Sequence, residues 1–137
     1  MRCLAYYRDG LNAYSVGLAS HAVVSFYRVF ETRYDTKKKA IKWVNDVFTN
    51  IESFTSDNAL QAFEADRQAT GADHGTYVYE NCRVATAHAA RDFRSDPDEA
   101  NETRRLLTAS RIIQRLARLF IKQELGFSTS YLTDGDG

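Results

Sequence analysis

Arg83 and His88 stand five residues apart in the segment Asn81-Cys-Arg-Val-Ala-Thr-Ala-His-Ala89. A guanidinium offers a planar fork of donors to a phosphate, and an imidazole takes or gives a proton near neutral pH. Together they could act on a phosphodiester, one group binding charge and the other moving a proton. Asp92, four residues after His88, falls on the same side of a helix and could orient its imidazole. The bare spacing has little specificity. The chain holds 13 arginines and three histidines, so an arginine followed by histidine after four to six residues arises by chance roughly once. Arg67 and His74 form a second match, set aside because Gly71 lies between them and should end a helix. The plain alternative for Arg83 and His88 is a helical pair at the edges of a core face. On an ideal α-helix five residues turn by about 140°. The two side chains would then flank the buried arc of Val78, Cys82, Ala85 and Ala89, and a joint site needs a distorted helix or a second copy across a two-fold axis.

A second concentration of chemistry lies near the C-terminus. Arg104, Arg111, Arg115, Arg118 and Lys122 fall within roughly 60° of one another on a helical wheel. They lie opposite Ile112, Ile113, Leu116, Leu119 and Phe120. Such a stripe could follow the phosphates of an RNA, or it could be an ordinary solvated face. The whole chain has 18 basic and 18 acidic residues, with no net charge. The charges are segregated, however. Residues 43–82 carry seven acids against one base, and residues 101–125 carry six bases against two acids. Arg8, Asn12 and Ser15 form a third, weaker group on the flank of the first apolar face. Two cysteines and three histidines, none at metal-ligand spacing, predict no metal, no cofactor and a reduced, cytoplasmic chain. The eight tyrosines are scattered and give no stacking platform for single strands.

These residues need helices to position them. With one proline in 137 residues, the turn signals of an all-β chain are missing. No apolar run is long enough to span a membrane, and the charged N-terminus does not read as a signal peptide. Leu4, Tyr7, Leu11, Tyr14, Leu18, Ala22, Phe26, Val29 and Phe30 share one arc, which predicts one long helix, or two nearly collinear ones, up to about Tyr34. That periodicity begins without a cap, which suits the C-terminal part of a longer protein or one that lost an upstream domain. Asp35 and Thr36 predict a break and an N-cap. Ala40, Ile41, Trp43, Val44, Val47, Phe48, Ile51 and Phe54 share the face of a second helix. A third is expected from about Asp57 to Thr70, stopping at Gly71, and a fourth from about Thr76 to Phe93. Ser95–Glu99 is a turn and helix start around Pro97. The last helix runs to Leu125 and stops at Gly126. The fold expected is an all-α, compact antiparallel bundle of four to five helices, a single domain over 1–127 with a flexible tail over 128–137.

At Arg83–His88 the chain resembles the HEPN superfamily (higher eukaryote and prokaryote nucleotide-binding), helical bundles marked by an Arg-x4–6-His motif. The resemblance extends to MauJ-like, methylamine-utilisation-associated proteins of HEPN type. Tyr6-Tyr-Arg-Asp-Gly-Leu-Asn-Ala-Tyr14, Ser25-Phe-Tyr27 and Glu31 look like their first helix. The segment from Asn81 to Ala89 looks like their motif helix, and Asp96-Pro-Asp98, Arg105 and the run 112–125 like their closing helix. The resemblance implies a metal-independent endoribonuclease with Arg83 and His88 as the catalytic pair; the helix geometry above puts that pair at a homodimer interface, with Asp92 and Asn81 expected to support it. It also implies a place in toxin–antitoxin or antiphage systems, with a cognate regulatory or antitoxin protein as partner. The other role it implies is a non-catalytic nucleotide- or RNA-binding, scaffolding or regulatory module. Val84 follows the arginine where active members often carry a polar residue.

Overall fold

The computed structural model describes residues 2–50, 56–84 and 99–126. Among them every regular element is helical, as the apolar periods predict. The first departure from expectation comes at Val16–Leu18. The chain forms two helices here, α1 (Arg2–Ser15) and α2 (Ala19–Glu31), and they fold back on each other. Gly17 adopts φ 77°. Its N–H donates to the Tyr14 carbonyl at 3.0 Å, and the Leu18 N–H to the Ala13 carbonyl at 2.9 Å. That pair of bonds is the Schellman termination of an α-helix, which needs a left-handed residue at this point. Tyr7 then meets Phe26 with ring centroids 5.7 Å apart, and Arg28 lies over Tyr6. The helices are therefore antiparallel. At the crossing the Phe26 ring rests against Gly10, where a Cβ would collide with it. The apolar arc keeps its phase across the turn, so periodicity reads two facing helices as one long helix or two nearly collinear ones.

α3 (Lys37–Thr49) begins at Thr36, whose hydroxyl accepts from the Lys39 N–H at 3.2 Å. The predicted cap is the observed one. Lys37, in the first turn where a positive charge opposes the helix dipole, is ion-paired with Glu80. α4 (Asn58–Thr70) is framed as expected, with Asp57 accepting from the Leu60 N–H at 3.0 Å and Gly71 at φ 75°. The expected fourth helix is not a regular α-helix. A single turn, α5 (His74–Thr76), is capped by Asp73 and continues directly into a π-helix (Tyr77–Val84). Ala85–Phe93 lies outside the described residues, as do the turn before Glu99 and the tail from residue 127. The last helix, α6 (Glu99–Leu125), ends at Gly126 as expected.

α6 is the axis of the core. It packs on α1, α2, α4 and the π-helix. Leu106, Ile112, Ile113, Leu116, Phe120 and Ile121 are buried along it. Each side chain of that size contributes roughly 1.5–3 kcal/mol when fully withdrawn from water. At one end Phe120 joins Phe30, Tyr34 and Trp43 in an aromatic cluster with centroids 5.0–6.1 Å apart. Gln114, fully buried, donates to the Tyr7 hydroxyl at 3.3 Å and fixes α1 against α6. Among the described residues no helix is long and apolar enough to cross a membrane.

Candidate functional site

A π-helix bonds i to i+5 rather than i to i+4, so each turn holds an extra residue. Such turns are rare and recur at functional sites. Here Tyr77, Val78 and Cys82 bury one face of it. Arg105 of α6 clamps the same face. Its guanidinium donates to the Tyr77 hydroxyl at 2.9 Å and to the Asn81 carbonyl at 2.6 Å. Glu102 holds it from the other side at 3.0 and 2.5 Å. Burial opposes the charge on Arg105, but the bonds to Glu102 and Tyr77 outweigh it and the net shift is upward. Burial also lifts the Tyr77 phenol to about 12 and the Cys82 thiol to about 11. Cys82 is therefore a protonated packing group at neutral pH and no nucleophile.

Directly after Cys82, Arg83 leaves the core. Its Nε donates to Glu31 Oε1 at 3.0 Å, and its guanidinium carbon sits 5.8 Å from the Tyr27 ring centroid. Both charged side chains are about one-quarter exposed. This is a positioned arginine: the carboxylate fixes the plane of the guanidinium and the aromatic face supports it from below. The Tyr27 hydroxyl beneath is buried without a hydrogen-bond partner among the described residues. Its pKa is raised by burial and then by the Glu31 charge, with Arg83 opposing. Glu31 was not among the candidate site residues. It lies 52 positions from Arg83 on a different helix, a separation that no local spacing reveals. Asn81 takes part through its backbone carbonyl, as the acceptor for Arg105.

His88 and Asp92 lie outside the described residues. The expectation that they diverge from Arg83 rested on ideal α-helical geometry. Up to Val84 that premise does not hold, because the segment is π-helical.

The basic stripe is split by α4. Arg115, only 13% exposed, is paired with Asp57, and Arg104 stands 3.7 Å from Asp66. The Arg115 guanidinium holds the Asp57 carboxyl below the usual carboxylate range. Arg111 and Arg118 are half-buried and Lys122 is exposed. The five bases therefore do not form one uniform solvated ridge. Arg8, Asn12 and Ser15 are all exposed, and the Ser15 hydroxyl donates to the Asn12 carbonyl at 2.8 Å.

Arg67 and His74, set aside because they could not share a helix, do meet. Glu64 joins them, with Oε1 2.8 Å from His74 Nε2 and Oε2 3.1 Å from Arg67. Arg67 also donates to the Ala72 carbonyl at 2.8 Å, and His74 stacks on Phe48 at 4.1 Å. The group ties the loop between α4 and α5 to α3. Among the described residues no group of three or more His, Cys, Asp or Glu could hold a metal ion.

Comparison with curated proteins and with solved structures gives no match. A family model described as methylamine utilization protein MauJ matches residues 3–122. That span runs from the first turn of α1 to the last turn of α6, and the chain belongs to the MauJ family.

Proposed function

We propose that this chain is a HEPN-type domain that acts on RNA as a metal-independent endoribonuclease. In this reading His88 takes the proton of a ribose 2′-hydroxyl as that oxygen attacks the adjacent phosphorus. The P–O5′ bond breaks, the leaving oxygen gains a proton, and the products carry a 2′,3′-cyclic phosphate and a 5′-hydroxyl. Arg83 stabilises the charge of the five-coordinate phosphorus. Asp92 orients His88, and Asn81 holds the helix through its bond to Arg105. The observation that carries the reading is Arg83 itself, half-buried, aligned by Glu31 over Tyr27, and placed where the helix departs from α geometry. A homodimer that joins α1 and the motif helix across a two-fold axis would let two chains share the site. A cognate regulatory or antitoxin protein would restrain it. Arg118 and Lys122, beyond the Asp57 pair, would add salt-dependent attraction for the strand.

A non-catalytic nucleotide- or RNA-binding, scaffolding or regulatory module is the second reading. Val84 and the pairing of Arg104 and Arg115 with acids favour it. End-labelled RNA incubated in EDTA separates the two. The enzyme reading expects cleavage with 2′,3′-cyclic phosphate ends. Retarded but intact RNA in the same assay supports the binding module and contradicts the enzyme.

A further inference from the structure

α4 and α6 run antiparallel, because Asp57 pairs with Arg115 and Asp66 with Arg104. Along this seam lies an open groove of about 510 Å³, lined by α4, α6 and Tyr14 of α1. Part of its lining is small and apolar, with Ala59 and Ala62 on α4, the exposed Ala100 on α6 and Leu107. Its rim is polar. Arg104 and Arg111 stand two helical turns apart, about 10 Å along the axis. Thr103 and Thr108 of the same helix also line the groove. Arg104 is 59% exposed, and its 3.7 Å approach to Asp66 is longer than a hydrogen bond. It can turn to a better anion at little cost. At the other end, Asn58 and Ala59 bring the positive end of the α4 dipole to the groove, while Arg115 neutralises the Asp57 cap.

We infer that this groove binds a small phosphate monoester with a flat apolar body. The volume falls within the few hundred to 1,000 Å³ of small-molecule sites, roughly the size such a ligand needs. The exposed Arg104 fork and a threonine hydroxyl at the rim match a phosphate dianion with three terminal oxygens. The alanines and Leu107 accept a ring. A continuous nucleic-acid strand fits less well, because its phosphates would have to pass the Asp66 carboxylate, which Arg104 approaches only to 3.7 Å. The site lies on residues other than Arg83 and His88, and it holds whether or not the chain cleaves RNA.

Phenyl phosphate is the direct probe, titrated by calorimetry against the full chain, with phenol and inorganic phosphate as controls. Saturable binding is expected, at least ten-fold tighter than either control. Ala62→Leu, which adds bulk to the apolar lining, and Arg104→Gln, which removes a rim charge, should each weaken it at least ten-fold. Thermal melts verify that the variants are folded. If Ala62→Leu fails to fold, the exposed Arg104→Gln carries the test alone. Arg83→Ala should bind as wild type does. Absence of saturable binding, equal affinity for inorganic phosphate, or indifference to Arg104→Gln would overturn the assignment. Loss of binding in Arg83→Ala would move the ligand to Arg83 and overturn it equally.

Discussion

Asp57 shows how much a single side chain can do here. Its carboxylate caps α4 through Leu60 and pairs with Arg115 across to α6. The pair and the cap lower its pKa in the folded protein. A depressed carboxylate contributes stability at pH values above its unfolded pKa of about 4, and that contribution is lost as pH falls through the folded value. Asp73, held down by Thr76, and Glu102, held down by Arg105, act in the same direction. The fold should therefore weaken on acidification below roughly pH 4. Asp57→Asn keeps an acceptor for the Leu60 N–H but loses the charge. At neutral pH it should cost about 0.5–1 kcal/mol, a modest figure because the side chain is about one-third exposed and solvent screens the pair. It should also shrink the acid-dependent loss. Urea melts of both proteins at pH 3.5 and pH 7 measure this, and an equal acid loss in the two would contradict the assignment to Asp57.

At the scale of elements, α5 depends on close approach to α3. The Gly75 N–H donates to Asn45 Oδ1 at 2.7 Å, and a Cβ on Gly75 would collide with the Ile41 backbone carbonyl. A backbone atom cannot swing aside as a side chain can. Gly75→Ala should destabilise the fold by about 2–3 kcal/mol, the upper part of the overpacking range. A thermal melt that shows no loss would mean that α5 shifts freely and does not position the π-helix behind it. The helix frames of α3, α4 and α6 were legible in the sequence because their ends carry their own chemistry, at Thr36, Asp57, Gly71 and Gly126. The α1–α2 hairpin was not, because three turn residues left the apolar phase intact. The π-helix was not either. Tyr77, Val78 and Cys82 suit either register, and the Arg105 clamp that holds it comes from a distant helix. Arg83 could be singled out from its neighbours in sequence. Its alignment by Glu31 could not, since that contact exists only after α2 and the π-helix pack.

For the whole molecule, charge segregation in the sequence becomes a contact in space. The acidic segment supplies Asp57 and Asp66, the basic segment supplies Arg115 and Arg104, and the two meet along α4 and α6. The net charge of zero is thus partly internal neutralisation rather than two exposed fields. The proposed homodimer also belongs to this scale. If one chain's Arg83 works with its partner's His88, then Arg83→Ala and His88→Ala should rescue each other after subunit exchange. Half of randomly formed dimers would be mixed, and each would hold at most one complete cross-chain pair. Activity should rise from near zero to a minor, measurable share of wild type. Verified heterodimers that stay inactive would contradict the cross-chain arrangement.

The central claim is that Arg83 and His88 form one phosphodiester-cleaving site. Single-turnover cleavage of labelled RNA in EDTA, compared among wild type, Arg83→Ala and His88→Ala, tests it most directly. The account expects wild-type cleavage to be indifferent to the chelator and each substitution to slow it by about 10²–10⁴-fold, the scale of one acid–base or electrostatic group. Cleavage that vanishes in EDTA, or that persists at the wild-type rate in both variants, would contradict it.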